Sequence, residues 1–276
     1  MCQTLSLDNE FCHTCLFLLE RLHRAIFVGA MHAVILIRQA GFDGIMLWWG
    51  DEYGILNYRD APKMARDAGL YVENIHAPYD GINNLWLDNL DGDELTDRFL
   101  RIVDDCADYG IPVIALHLTS RRPPSANATG LGRVRRIVEA AEQRGVNVAF
   151  ENMRYYEHLD YVLRNIDSPY AGFCYDSGHH HCCMPEMDLL GKYGSRIKAL
   201  HLHDNDGTDD QHRLPFDGTI DWRETIAKIY NAGYKGAIAL EPENQGYESM
   251  KPLEFLHMAA KRARDLEDHA MKTVLS

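Results

Sequence analysis

From about residue 30 the chain repeats one pattern: a short apolar run, a polar turn, a stretch with helical spacing, then another apolar run. The runs are Phe42–Leu47, Leu70–Ile75, Val113–Leu118, Val146–Phe150, Ala171–Tyr175, Ile197–Leu202 and Ala237–Leu240. Most are near-continuous in apolar or small residues, which predicts strands covered on both faces, as in a parallel sheet. Between them, Tyr58–Ala68, Glu94–Tyr109, Gly132–Arg144 and Asp221–Ala232 are predicted helices, closing on Gly69, Gly110, Gly145 and Gly233. Strand and helix alternate every ~30 residues over roughly 250 residues, which favours an eight-stranded parallel (β/α)8 barrel, the TIM barrel, over an open sheet. The first strand is the exception. Its candidate, Ala25–Ala30, runs almost without a turn into a helix from His32 to Ala40, so an irregular or incomplete first strand is expected. Residues 1–30 are read as an irregular extension with that first strand, and 31–276 as one barrel domain.

Composition leaves that picture standing and removes several function classes. The 276 residues are 46% hydrophobic and 25% charged, as in soluble globular proteins. Twenty-eight Lys and Arg against 41 Asp and Glu give a formal charge of -13, which argues against a generic nucleic-acid partner. The main basic clusters are Arg121 with Arg122, and Arg133, Arg135 with Arg136; the second lies on a predicted helix and reads as a solvated outer face. Seven scattered cysteines do not form a disulfide framework, so reduced thiols and a cytoplasmic address are expected. Cys12 and Cys15 form a lone Cys-x-x-Cys with no second pair, a weak metal or redox signal. The longest greasy stretch, Ala25–Ile37, contains Gly29 and His32 and is short for a membrane span, and no basic region precedes the first leucines. Neither a signal peptide nor a membrane partner is expected.

The chemistry lies in the residues that end the strands. Glu151, Asp176, His203 and Glu241 each follow one of four successive apolar runs. In a parallel barrel those ends converge on the face where active sites are built. Three carboxylates with one imidazole suit Mn²⁺ first, with Mg²⁺, Co²⁺ and Zn²⁺ as alternatives, rather than a thiophilic ion. His76, His117 and His179 reach the same face, and Asp210 and His212 lie in the loop after His203 and are candidate additional metal ligands. His201 shares a strand face with His203 by the two-residue period, which places it one layer deeper as a hydrogen-bonded core residue. In the run His179–Cys183 only His179 is read as functional, because adjacent residues rarely present one tetrahedral set.

The phrases Ala-Gly-Phe-Asp-Gly at 40, His-Ala-Pro-Tyr at 76, Glu-Asn at 151, Asp-Ser-Gly-His at 176, His-Leu-His-Asp at 201 and Leu-Glu-Pro at 240 together resemble the xylose isomerase-like barrel superfamily, and within it the sugar phosphate isomerases and epimerases. The likeness runs from about residue 32 to the C-terminus. It implies Glu151, Asp176, His203 and Glu241 as ligands of a single metal, and His179 as a substrate-binding residue. It also implies a rival. The apurinic-site endonucleases of the endonuclease IV type hold three zinc ions, and their pattern maps onto His76, His117, Glu151, Asp176, His179, His203, Asp210, His212 and Glu241. A third reading is a barrel that binds a sugar without turning it over.

Moving a carbonyl, or inverting a carbon beside one, requires taking a proton from carbon and returning it. Glu151 and Glu241 are the candidate proton carriers, with a metal between them stabilising the enediolate as a Lewis acid. His179, His76, His117 and Arg213 are candidates to hold substrate oxygens, and Trp48 and Trp86 to pack against its C–H face. Some ketose 3-epimerases place an arginine shortly after the ligand histidine, where this chain has the Asp-rich stretch Asp204–Asp210. The expected partner is a small-molecule sugar or sugar phosphate, with a homo-oligomer left open.

Overall fold

A computed structural model describes residues 14–17, 30–51 and 57–274. Eight parallel strands form one sheet: β1 (Thr14–Phe17), β2 (Gly44–Trp48), β3 (Tyr71–His76), β4 (Val113–Leu116), β5 (Asn147–Glu151), β6 (Ala171–Asp176), β7 (Ile197–His201) and β8 (Ile238–Leu240). The order is β7-β6-β5-β4-β3-β2-β1-β8. A parallel bridge between Leu202 and Leu240 joins the two ends, with Leu202 N–H donating to Ala239 O and Glu241 N–H to Leu202 O, both at 2.9 Å. The sheet therefore closes into the (β/α)8 barrel.

The first strand corrects the sequence reading. It is Thr14–Phe17, whose Cys15 pairs with Gly44 of β2 and Ala239 of β8. Of the candidate Ala25–Ala30, residues 25–29 lie outside the described residues, and Ala30 opens helix α1 (Ala30–Ala40). Cys12 also lies outside them. The other helices are α2 (Ala61–Asp67), α3 (Leu90–Asp108), α4 (Ala128–Arg144), α5 (Tyr156–Asn165), α6 (Ser177–Cys183), α7 (Leu189–Tyr193), α8 (Trp222–Asn231) and α9 (Pro252–Val274). No described helix is long and apolar enough to cross a membrane.

Two apolar regions follow from the two faces of each strand. Outward residues such as Ile114, Leu116, Val148, Phe150, Phe173 and Leu200 join the helices in the main core. On the other face Val113, Ala115, Ala149, Cys174 and Ala199 form a separate buried cluster of mostly small residues inside the barrel. By the two-residue period, the positions one step above this cluster are His117, Glu151, Asp176 and His201. The inner layer thus supports the functional face directly.

Arg133, expected on a solvated outer face, is only 5% exposed. From α4 it donates to the carbonyls of Asn84, Leu85, Leu87 and Asn89 and to the Asp93 carboxylate, tying the 84–89 segment and the start of α3 to α4. Gly92 leaves room for it: a Cβ there would lie 2.2 Å from the guanidinium. Trp86 belongs to the same junction, its indole N–H donating to Leu118 O at 2.7 Å. Arg133→Met would leave several buried carbonyls without donors and is expected to lower stability by about 3 kcal/mol or more. Thermal and urea unfolding would show this; an unchanged unfolding midpoint would remove the assigned role.

Candidate metal centre

The ends of β5 and β6 are locked by one side chain. Asn152 accepts from Asp176 N–H and donates to Asp176 O, both at 2.8 Å, so Glu151 and Asp176 are presented together. Asp176 then caps α6 by accepting from His179 N–H at 2.7 Å, which carries His179 onto the same face. Ser177 clasps the next strand: its hydroxyl donates to His203 O at 2.7 Å and accepts from His203 N–H at 3.0 Å. Gly178 is required because a Cβ there would lie 1.9 Å from the His203 ring. Each residue of Asp-Ser-Gly-His therefore has its own task.

The loop after β7 hangs on Asp204. This fully buried carboxylate accepts from the backbone N–H of Asn205, Phe216 and Ile220 and from the Trp222 indole at 2.7–3.2 Å. Backbone bonds of 2.8 Å in both directions pair Asp204 with Arg213. The loop returns Asp210 and His212 over the barrel mouth. His212 has a left-handed φ of 45°, a conformation costly for a non-glycine residue, and its Nδ1 bonds Glu241 O at 2.9 Å.

The assembled site holds four carboxylates and six imidazoles, all close to fully buried apart from Asp210. His76 Nε2 and His117 Nε2 lie 3.4 and 3.3 Å from Glu151 Oε2, and 3.1 Å from each other. His201 Nδ1 lies 3.1 Å from Glu151 Oε2 and 3.5 Å from Glu241 Oε2. His179 Nδ1 is 3.1 Å from Glu151 and 3.3 Å from Asp176, and its Nε2 is 3.2 Å from Asp210, which His212 Nε2 approaches to 3.3 Å. His203 Nε2 stands 3.1 Å from Asp176 Oδ1, with its ring stacked 3.8 Å from that of His212. Four triads, His76–Glu151–His201, Glu151–Asp176–His179, Asp176–His201–Glu241 and His203–His212–Glu241, each bring candidate ligand atoms within 4.8 Å of one another.

These residues fit a divalent cation. Every ion pair described for Glu151, Asp176, Asp210 and Glu241 is to a histidine, so among the described residues the balancing charge lies mainly on imidazole protons, with Arg154 adding to it at Asp210. Burial would raise the Glu151 and Asp176 carboxyls, but the neighbouring His117 and His201, and His179 and His203, hold both below their ordinary values. Burial would likewise lower His179, His201 and His203; Asp176 chiefly lifts His179 and His203, and Cys174 with Glu241 and Glu151 lifts His201, so all three stand above their ordinary values. A metal can replace those protons. The Nδ1 atoms of His76 and His212 bond the backbone carbonyls of Ala77 and Glu241 at 2.9 Å. A proton fixed on Nδ1 leaves the Nε2 lone pair facing the carboxylates, the usual arrangement behind a metal-binding histidine.

The structure gathers Glu151, Asp176, His203, Glu241, His179, His76, His117, Asp210 and His212. His201 joins them; it is fully buried, as a deeper residue would be, yet its Nδ1 faces Glu151 and Glu241. A cavity of about 480 Å³ opens above, bordered by Trp48, Tyr79, Thr119, Arg121, Arg154 and Tyr155 together with the site residues. Trp48 stacks on His76, and Tyr79 on His117. Two candidate substrate contacts lie elsewhere: Trp86 is buried in the α3–α4 junction, and Arg213 pairs with Asp206 at 3.2 Å outside the cavity lining. Asp204 escaped notice because its partners are up to 18 residues away and leave no local spacing signal.

Residues 34–266 match the xylose isomerase-like TIM barrel family. The chain belongs to that family. An uncharacterized protein, y4fM, of Sinorhizobium fredii is 28% identical over 79% of this chain and 83% of its own length. The inosose dehydratase of Salmonella typhimurium is 26% identical over 50% of this chain and 52% of its own. Among solved structures, the IOLI protein with a bound zinc atom superposes with a TM-score of 0.74 at 15% identity, over 95% of this chain and 99% of its own. L-ribulose 3-epimerase superposes with a TM-score of 0.72 at 16% identity, over 96% of this family member and 97% of its own chain.

Two outcomes follow from the site. Because His179, His201 and His203 are held above their ordinary values, ligation at pH 7 must displace protons, so metal affinity is expected to rise with pH. Calorimetric titration with Mn²⁺ in two buffers of different ionisation heat should show proton release; identical heats would contradict it. Asp204→Ala, which strands four buried donors, is expected to destabilise the fold by about 3 kcal/mol or more. Thermal unfolding should record the loss, and an unaltered melting temperature would remove Asp204 as the loop's anchor.

Proposed function

We propose that this barrel is a divalent-metal-dependent enzyme that removes and returns a proton at the carbon beside the carbonyl of a sugar or sugar phosphate, as an isomerase or epimerase. The observation that carries the reading is the placement of Glu151 and Glu241, delivered by different strands, around the shared His201 beneath a cavity of small-molecule size. The names of its relatives, an inosose dehydratase and a ketose epimerase among them, support the substrate class.

Glu151, Asp176, His201 and Glu241 would hold the ion. His203, the imidazole expected from the sequence, would instead brace Asp176 through its 3.1 Å contact. The ion supplies positive charge that lowers the cost of developing negative charge on the substrate's oxygens. One glutamate takes the carbon-bound proton and the other returns it: delivery to the opposite face of the same carbon inverts it, and delivery to the neighbouring carbon, with the hydroxyl proton passing to the former carbonyl oxygen, moves the carbonyl. His179 and His117 face the cavity as donors to substrate hydroxyls, Trp48 and Tyr79 wall the carbon chain, and the closed floor of Ala115, Ala149 and Ala199 keeps water from below. If the protonated glutamate instead gives its proton to a β-hydroxyl, which leaves as water, the same residues would carry out a dehydration.

A second reading rests on one observation: His76 with His117, and His179 with Asp210 and His212, form further ligand-like groups beside the central one. Three ions there would suit phosphodiester hydrolysis. Metal analysis of the reconstituted protein separates the readings, one tightly held ion per chain supporting proton transfer and three supporting hydrolysis.

The direct test is proton NMR in D₂O of a ketose and ketose phosphate panel with Mn²⁺-loaded protein. Deuterium should enter beside the carbonyl, and Glu151→Gln or Glu241→Gln should slow exchange by about 10²–10⁴-fold. No exchange in any sugar by a metal-loaded, folded protein would refute the proposal. His201→Ala should lose the ion to a chelator faster than His203→Ala; the reverse order would return the ligand role to His203.

A further inference from the structure

We propose that the mouth of this cavity binds a phosphate monoester, the far end of a phosphorylated sugar, between Arg121 and Arg154; this deepens the proton-transfer reading and rests on it. The floor of the cavity is built of carboxylates and imidazoles, but both cations in its lining, Arg121 and Arg154, stand on the loops that follow β4 and β5. That puts positive charge on one side of the opening of a protein whose formal charge is -13.

The arginine-bearing loops are held in place. Ser120 N–H donates to Asn83 Oδ1 at 2.9 Å, and Asn83 Nδ2 donates to Arg121 O at 3.1 Å, so one side chain grips the backbone on both sides of Arg121. Arg122 adopts a left-handed φ of 54°, and its N–H donates to the Tyr155 hydroxyl at 3.2 Å. Because Tyr155 follows Arg154, the same bond ties the two loops together. The strain at Arg122 is the cost of turning the chain so that Arg121 borders the opening.

A second feature points to a ligand. Thr119, fully buried and in the cavity lining, has a side-chain hydroxyl with no hydrogen-bond partner among the described residues. Buried hydroxyls are nearly always satisfied, and an oxyanion between the arginines would satisfy this one. Carboxylates stand here too: Asp209 meets Arg154 at 3.5 Å, a long and exposed pair, Asp210 in the cavity lining also acts on Arg154, and Asp80 borders the cavity. None of them forms a described ion pair with Arg121. Guanidinium groups from two separate loops, together with the Thr119 hydroxyl in the same lining, supply more donors than the two coplanar oxygens of a carboxylate can use and suit the three oxygens of a phosphate monoester. The cavity volume of about 480 Å³ leaves room for a carbon chain between this mouth and the metal-binding floor.

The experiment is calorimetric titration of the metal-loaded protein with inorganic phosphate and with acetate, on the parent chain and on Arg121→Met, Arg154→Met and Arg135→Met. Arg135 lies on α4 with its guanidinium on Asn165 O, away from the cavity, and serves as control. Phosphate should bind at least tenfold tighter than acetate, and each cavity variant, but not the control, should weaken it tenfold or more. In the deuterium-exchange assay the same variants should raise KM for a ketose phosphate at least tenfold and leave KM for the unphosphorylated ketose unchanged. Equal phosphate affinity in the parent and both cavity variants, acetate binding as tight as phosphate, or an equal KM increase for both sugars would overturn the proposal. If no sugar exchanges, the proton-transfer reading fails while the phosphate titration still decides this one.

Discussion

Four carboxylates gathered at the mouth of one barrel, balanced mainly by imidazoles among the described residues, form the constraint around which the rest of this structure is arranged. Unpaired carboxylates so close together and so well buried would be costly. The protein meets that cost by ringing Glu151, Asp176, Asp210 and Glu241 with His76, His117, His179, His201, His203 and His212. An imidazole is the one side chain that can carry the balancing proton near neutrality and surrender it to an incoming cation. The same ring is therefore both an electrostatic solution for the protein without an ion and a ligand set.

The scaffold serves that ring from below and from the sides. Beneath it, Ala115, Ala149 and Ala199 keep the barrel axis narrow, so the layer above packs at ligand distances. At the sides, Asn152, Ser177 and Asp204 spend their hydrogen bonds on backbone groups of other segments and, for Asp204, on the Trp222 indole as well, fixing strand ends and loop relative to one another. The described non-glycine residues with left-handed φ, Arg122, His212 and Phe216, all lie in loops on this face. Strain concentrates where side chains must be aimed, and each of these turns is held by a specific partner.

Seven of the eight strands were legible in the sequence because strands covered on both faces are apolar throughout and end in turns or glycines. Thr14–Phe17 was not, since its apolar letters merge with Leu18 and Leu19 and no turn residue marks its end. The site was legible as a set of strand-end residues; the choice between His201 and His203 as ligand is where the function proposed above departs from the sequence reading. Leu202 extends the apolar run beyond the last ladder residue, so His203 looks like the strand end; the ladder stops at His201, which pairs with Asp176. His201 and His203 share one face, so the two residues differ by one layer along the barrel axis. Arg133, Trp86 and Asp204 were illegible for a different reason: their partners lie 40, 32 and 18 residues away along the chain, and nothing in local spacing reveals such bonds.

The charge of the whole chain and the charge of its cavity mouth act on different scales. At ionic strengths near 0.15 M, fields are screened over about 8 Å, so a formal charge of -13 disfavours long polyanions that must lie across a wide surface but says little about one small anion entering a cleft. Within the cleft, the phosphate site proposed above would depend on Arg121 and Arg154, with Asn83 and Tyr155 holding the backbone of the Arg121 loop. A small phosphate ester would need only that one site, whereas a nucleic-acid backbone would also bring its neighbouring phosphates against a chain of net negative charge.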